Sequence, residues 1–262
     1  MRLPEQRQLH ARVRAAVRGA PDAAARAPGG GVKTVDRLDE SGSLVERAVR
    51  RVRDHIRERD LKVGDTLPGE GQFATEMGVS RAVMREAFGA LAALRLIDVA
   101  NGRRARVGAI DGSVMGTSID HAVATAQVSV AEVWDVRRTL ELRTAELAAR
   151  NRSDASAAMI RTAAQAMATA ANIADVTRHD IVFHQAIARA SGNALFLQIV
   201  RSFEPMMTIA VPVAWETRQT ADARAIVLKR HEDIALAIAD RDTAAAVTLM
   251  DAHFDQSIGA IL

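Results

Sequence analysis

From Leu44 to about Arg59, the apolar positions Leu44, Val45, Ala48, Val49, Val52 and Ile56 recur at helical spacing, with arginines on the other faces. The pattern predicts a first helix. Gly64-Asp65 then turns the chain, Leu67-Pro68 opens a second short helix through Met77, and Gly78 supplies its C-cap. Ser80 is placed to cap a third helix running to about Leu94, whose apolar stripe is Val83, Ala87, Leu91 and Leu94. Two short helices around a tight glycine turn make a helix-turn-helix pattern. Leu96 to Ala100 and Arg103 to Val107 flank Asn101-Gly102, which predicts a β-hairpin, a wing. Beyond Asp111 the pattern is helical throughout, with helices expected near 113–126, 130–150, 153–172, 175–190, 194–210, 220–240 and 243–258. Asn151, Ser153, Gly192-Asn193, Pro212 and Asp240-Arg241-Asp242 supply the caps and breaks. The expected architecture is mainly α: a winged helix-turn-helix over 44–108, then an all-α bundle of six or seven helices over 111–262.

Composition narrows the classes. Tyrosine and cysteine are absent, aromatics make up 3% and alanine is abundant, which suits packed helices and excludes an all-β chain. Without cysteine there are no disulfides, thiolate metal sites or cysteine nucleophiles. No uncharged apolar run reaches the roughly 18 residues of a membrane span, and the arginine-rich start lacks the apolar core of a signal peptide. The expected location is the cytoplasm. Charge is unevenly spread: Lys/Arg number 8 against 5 Asp/Glu in residues 1–43, 13 against 9 in 44–110, and 14 against 18 in 111–262. A basic half joined to an acidic half suits a polyanion-binding module fused to one with another task. Residues 1–43, from the Arg2 to Arg18 stretch through Pro28-Gly29-Gly30-Gly31, read as an unfolded arm without site residues.

The basic module has candidate chemistry on its third helix. Its apolar stripe leaves Arg81 and Arg85 on the opposite surface near the amino terminus, where a recognition helix meets bases. Arginine donates twice to guanine O6 and N7, while Ser80 and the helix-end amides suit a phosphate. The wing adds Asn101, Gly102, Arg103 and Arg104 at its turn, with Arg106 beyond. A solvated face paired with acids such as Glu86 is the competing reading.

The acidic module has three histidines in a telling arrangement. Asp180 and His184 stand at i and i+4, on one helical face. The break at 240–242 folds the last two helices into an antiparallel hairpin, and His231 and His253 lie at equal sequence distance from residue 242, so they share one height. An Asp-His-His-His set suits zinc, nickel, manganese or a similar divalent ion. The same residues also read as core histidines and a simple Asp/His ion pair, while His179 points elsewhere. Arg137 shares its face with Val130, Val133, Leu140 and Leu147, so its guanidinium turns inward and needs an anion. Glu141, one turn on, is one partner; a bound carboxylate is the other. Trp134 and Phe183 read as core.

The run Gly64-Asp65-Thr66-Leu67-Pro68-Gly69-Glu70, then Ala74, Gly78-Val79-Ser80-Arg81, Arg85-Glu86-Ala87 and Leu91, with the Asn101-Gly102 wing, resembles the winged helix-turn-helix of GntR-family transcriptional regulators. Two positions depart from it: Gly71 stands where the family has a DNA-contacting arginine, and Ala105 where its wing often has glycine. Asp180-x-x-Phe183-His184, Ala190-Ser191-Gly192-Asn193, His231 and His253 resemble the FCD ligand-binding domain of the FadR subfamily. That resemblance implies that Asp180, His184, His231 and His253 ligate a metal and that Arg137, in Val136-Arg137-Arg138-x-Leu140-Glu141, faces the effector cavity. Asn193 matches the family's asparagine and, as a helix cap, reads as structural. The implied function is a homodimeric, DNA-binding repressor responsive to a small organic acid, with zinc first among the metals. A metal-dependent hydrolase is the rival class, and it needs a base beside the metal that no spacing supplies. A metal-stabilised interaction protein without an effector is a third.

Overall fold

The computed structural model describes residues 42–258, and the chain divides between Val114 and Met115 into two compact units. The arm expected over residues 1–43 lies, except for Gly42 and Ser43, outside the described residues.

In the first unit, α1 (Leu44–Glu58) starts at Ser43, whose hydroxyl accepts from the Glu46 amide at 3.2 Å while Glu46 Oε2 accepts from the Ser43 amide at 3.0 Å. This reciprocal box satisfies two donors that a helix start leaves open, so Ser43 belongs to the fold rather than to the arm. The second helix, α2 (Glu70–Met77), begins later than Leu67-Pro68 suggested. Leu67 is buried, its amide donates to the Ala105 carbonyl at 2.8 Å, and Thr66 bridges to Arg106, so this stretch is extended. Gly78 ends α2 at φ 64, a left-handed backbone conformation that strains other residues, and Ser80 caps α3 (Arg81–Ala93) by accepting from the Val83 amide at 3.3 Å.

The buried face of α3 is Met84, Ala87, Phe88 and Leu91, while Leu94 is 52% exposed. The expected stripe followed only one edge of that face; Phe88 fills its centre by packing edge-on to Phe73. The wing strands are short, β1 (Ile97–Asp98) antiparallel to β2 (Arg106–Val107), with Ile97 opposite Val107. That register is one residue off a two-residue hairpin, because Ala105 turns into the core and its carbonyl is taken by Leu67. Asn101-Gly102 still form the turn: Gly102 has φ 71 and the Arg103 amide donates to the Ala100 carbonyl at 3.2 Å.

From α4 (Ser113–Ala124) onward the chain is helical: α5 (Val130–Asn151), α6 (Asp154–Ala168), α7 (Ile173–Ala190), α8 (Ala194–Ser202), α9 (Glu204–Thr217), α10 (Ala221–Ala239) and α11 (Thr243–Ile258). The described residues thus hold eight helices here, where six or seven were expected. The extra one arises because the stretch expected as a single helix over 194–210 bends by 56° between α8 and α9. Pro205, in the first turn of α9, makes that break: a proline ring clashes with the preceding turn but fits a helix start. Pro212, expected as the break, lies inside α9 instead. No single described helix is long and apolar enough to cross a membrane.

The long α5 packs against α7, α10 and α11, around a core that includes Ile160, Phe183, Ile187, Ile234, Ile238 and Phe254. The α10–α11 turn passes through Arg241 at φ 60, and Asp242 Oδ1 accepts from the Ala245 amide at 2.9 Å to start α11. The Arg241 guanidinium donates to the carbonyls of Arg150 at 2.9 Å and Arg152 at 3.0 Å, which ties the hairpin turn to the end of α5.

Candidate functional site

Four helices of the second unit deliver buried polar side chains to one place. Asp180 and His184 come from α7, His231 from α10, His253 from α11, and Arg137 and Glu141 from α5; all six are buried. The α10–α11 hairpin brings the His231 and His253 rings to 4.6 Å between centroids, and His184 lies 5.1 Å from His253. One nitrogen from each imidazole lies within 4.8 Å of the other two. Asp180 Oδ1 stands beside this trio, 3.2 Å from His231 Nε2 and 3.9 Å from His184 Nε2.

The remaining hydrogen bonds define which nitrogens are available. His184 Nδ1 donates to Glu141 Oε2, and its Nε2 is buried and without a hydrogen-bond partner. Asp180 Oδ2 is likewise buried and unpartnered. His231 Nδ1 donates to the Val227 carbonyl at 2.8 Å, so Nε2 is the nitrogen turned to Asp180. A carboxylate or carbonyl on the far nitrogen is the usual device for orienting a metal-binding imidazole. Burial, reinforced by the neighbouring His231 and His184, holds the His253 imidazole well below its ordinary pKa and therefore neutral. Burial pushes the Asp180 carboxyl up, but the His231 hydrogen bond and the nearby His184, His231 and Arg137 charges outweigh it and leave it well below the carboxylate range. Glu141 is lowered in the same way, burial being overcome by Arg137 and His184.

Three converging imidazoles, an ionised carboxylate and two buried polar atoms without a hydrogen-bond partner are a donor set that fits a divalent cation. The carboxylate orienting His184 went unrecognised from sequence, where Glu141 figured only as a partner of Arg137. Forty-three residues separate Glu141 from His184, and no periodicity links them.

Arg137 does pair with Glu141 through Nε, and its Nη1 lies 2.6 Å from Met207 Sδ. Its guanidinium also sits 4.9 Å over the Trp134 ring and borders a cavity of about 30 Å³. Trp134, Asp180, Trp215, Arg218, His231 and His253 line the same cavity. Sequence reasoning placed Trp134 in the core and passed over Trp215 and Arg218.

On the first unit, Ser80, Arg81, Arg85, Asn101, Gly102, Arg103 and Arg104 are all exposed. The Arg85 neighbour is Glu70 at 3.7 Å, across the turn, rather than Glu86. Arg81 lies over Gly71, its guanidinium 3.8 Å from where a Cβ there would stand. Arg106 departs from the wing tip: it sits in β2 and donates to the Gly64 carbonyl at 3.4 Å.

A winged helix-turn-helix unit joined to an all-helical unit with a buried polar centre is the build of a DNA-binding transcriptional regulator with an effector domain. Residues 44–107 match the family described as bacterial regulatory proteins, gntR family, and residues 132–256 match the FCD domain. The chain belongs to the GntR family of transcriptional regulators and carries an FCD effector domain. It is 28% identical over 206 residues to the HTH-type transcriptional regulator LutR of Bacillus subtilis, covering 76% of this chain and 92% of that one. It is 27% identical over 175 residues to the Glc operon transcriptional activator of Escherichia coli, covering 64% and 69%. A solved Streptococcus agalactiae GntR structure shares the fold, with TM-score 0.56 and 23% identity over 80% of this chain and 97% of that one. These relatives are regulators, not enzymes.

Proposed function

We propose that this regulator binds a divalent ion, zinc before nickel or manganese, through Asp180, His184, His231 and His253, and that a small organic acid reaching that ion changes its affinity for operator DNA. The observation that carries the reading is the pair of buried atoms without a hydrogen-bond partner, Asp180 Oδ2 and His184 Nε2, beside three converging imidazoles. When bound, the ion supplies positive charge and open coordination positions for an acid's oxygens. The protein's own groups do the rest. Glu141 and the Val227 carbonyl hold His184 and His231 in the tautomer that presents Nε2, and Arg137 walls the cavity from α5. Glu141, fully engaged by Arg137 and His184, is not free to act as the base that a hydrolase would need.

On the DNA side, Ser80, Arg81 and Arg85 enter a major groove from the start of α3, and Asn101, Gly102, Arg103 and Arg104 meet the backbone or the adjacent groove from the wing. The protein works as a cytoplasmic homodimer, domains being 44–108 and 111–262, and represses. Because one relative is named as an activator, the sign of regulation rests on where the operator lies in the promoter.

The deciding experiment is elemental analysis of purified protein followed by DNA-shift titration with a panel of small acids at fixed salt. About one divalent ion per chain is expected, lost in His231→Ala and His253→Ala, with at least one acid shifting operator affinity only in the metal-loaded protein. Full metal content in both variants rejects the ligand set.

A further inference from the structure

Four buried side-chain polar atoms among the described residues have no hydrogen-bond partner: Trp134 Nε1, Arg152 Nε, Asp180 Oδ2 and His184 Nε2. Native interiors leave few such atoms, and each calls for an explanation. Three of these four belong to residues gathered at the metal centre and its cavity, and they divide by kind. Asp180 Oδ2 is an acceptor, and His184 Nε2 is one in the tautomer that keeps the proton on Nδ1; a cation satisfies both. Trp134 Nε1 is a donor only, and no cation can satisfy it.

Arg218 supplies the second half of the observation. It follows the last residue of α9 and lines the same cavity as Trp134, Asp180, His231 and His253. Its Nη1 donates to the Ala214 carbonyl at 2.7 Å and its Nη2 to the Gln256 carbonyl at 3.4 Å. Those carbonyls orient the guanidinium without neutralising it; burial disfavours its charge, and the carboxylate that acts on it is that of Asp180, which also faces His184 and His231. Arg137, by contrast, already has Glu141. With the ion of the preceding section in place, a divalent charge and two guanidiniums face the carboxylates of Asp180 and Glu141. Two positive charges are then left over in a largely apolar enclosure, which favours a ligand carrying two negative ones.

We propose that Trp134 Nε1 and the Arg218 guanidinium form a second anion subsite, so that the effector is a dicarboxylate or similar dianion with one acidic group at the metal and the other on Arg218. A carboxylate suits this subsite because it is acceptor-only, matching an indole N–H and a guanidinium fork that only donate. The proposal rests on the metal-dependent effector reading and adds the ligand's charge class to it. The cavity of about 30 Å³ holds a water or two, so binding must displace a wall. Val211, Ala214, Trp215 and Arg218 place the end of α9 on that wall, and Pro212 has removed one backbone hydrogen bond there.

The two tryptophans of the chain, Trp134 and Trp215, both line this cavity, so intrinsic fluorescence reports on it without background. Full-length, zinc-loaded protein is titrated with the straight-chain diacids from malonate to adipate, each against the monocarboxylic acid of equal length, with calorimetry as a second readout. The best-fitting diacid is expected to bind about ten-fold or more tightly than its monoacid, as a second charge-assisted contact would give. Arg218→Gln should abolish that preference while leaving zinc content and monoacid affinity unchanged, and Trp134→Phe should weaken the diacid with Trp215 still reporting. Equal affinity for diacid and monoacid in the wild-type protein, a comparison that needs no variant, overturns the subsite, as does a preference that survives Arg218→Gln. Absence of zinc from the wild-type protein, or of any acid binding to the loaded form, overturns the underlying metal reading as well.

Discussion

Glu141 carries two loads at once: it neutralises Arg137 and holds the proton of His184 on Nδ1. Replacing it with glutamine keeps the shape but weakens the acceptor that fixes the ring. Glu141→Gln is expected to lower metal affinity about 10- to 100-fold, the range for groups that orient metal-binding histidines. Competition with a chromogenic chelator measures it, and an unchanged affinity would show that the tautomer is set elsewhere. At the DNA face, the Arg85–Glu70 pair is loose and its arginine side chain is 77% exposed, so water screens it and Arg85 stays available. Arg81→Ala and Arg85→Ala are each expected to cost specific operator binding about 1 to 3 kcal/mol if they hold a base edge. Shift assays at one salt concentration decide it; wild-type affinity in both variants sinks the recognition role.

The turn between α2 and α3 depends on a single backbone geometry. Gly78 has φ 64, and a Cβ there would meet nothing within 4 Å, so Gly78→Ala isolates backbone strain from steric clash. A loss of about 1 kcal/mol is expected. It should appear as faster hydrogen exchange across α2 and α3 with no change in α7 or α10; unaltered exchange in α2 and α3 contradicts the assignment. The α10–α11 hairpin is the corresponding device in the second unit. Asp242 starts α11 and Arg241 fastens the turn to α5, and these local bonds set the height at which His231 meets His253.

For the molecule as a whole, one short recognition helix reads too few base pairs for useful discrimination, so a two-fold assembly on a pseudo-palindromic operator is expected. Light scattering should give twice the 28.1 kDa chain mass, and footprinting two half-sites about one or more helical turns apart. A strictly monomeric species occupying a single site excludes it. An effector alters DNA binding only through different affinities for two arrangements of the protein, so on the proposed reading operator DNA is expected to weaken effector binding by the factor by which the effector weakens DNA binding.

Local signals in the chain determined most of the elements. Ser43, Ser80, Ser129, Ser153 and Asn172 each cap a helix through their own side chains, and glycine at positions 78 and 102 marks turns by the left-handed backbone it permits. Even the meeting of His231 and His253 was legible, because an antiparallel hairpin makes equal sequence distance from its turn into equal height. Tertiary structure alone decided the rest. The buried face of α3 shifted to include Phe88 because Phe73 packs there, and the wing register moved because Leu67, distant in the sequence, claimed the Ala105 carbonyl. The identity of the groups around the histidine cluster and its cavity was decided the same way. Glu141 beside His184, and Trp134 beside Arg218, are joined by helices from distant parts of the chain; hydrophobic periodicity tells which face of a helix turns inward, but not which buried polar group it will meet there.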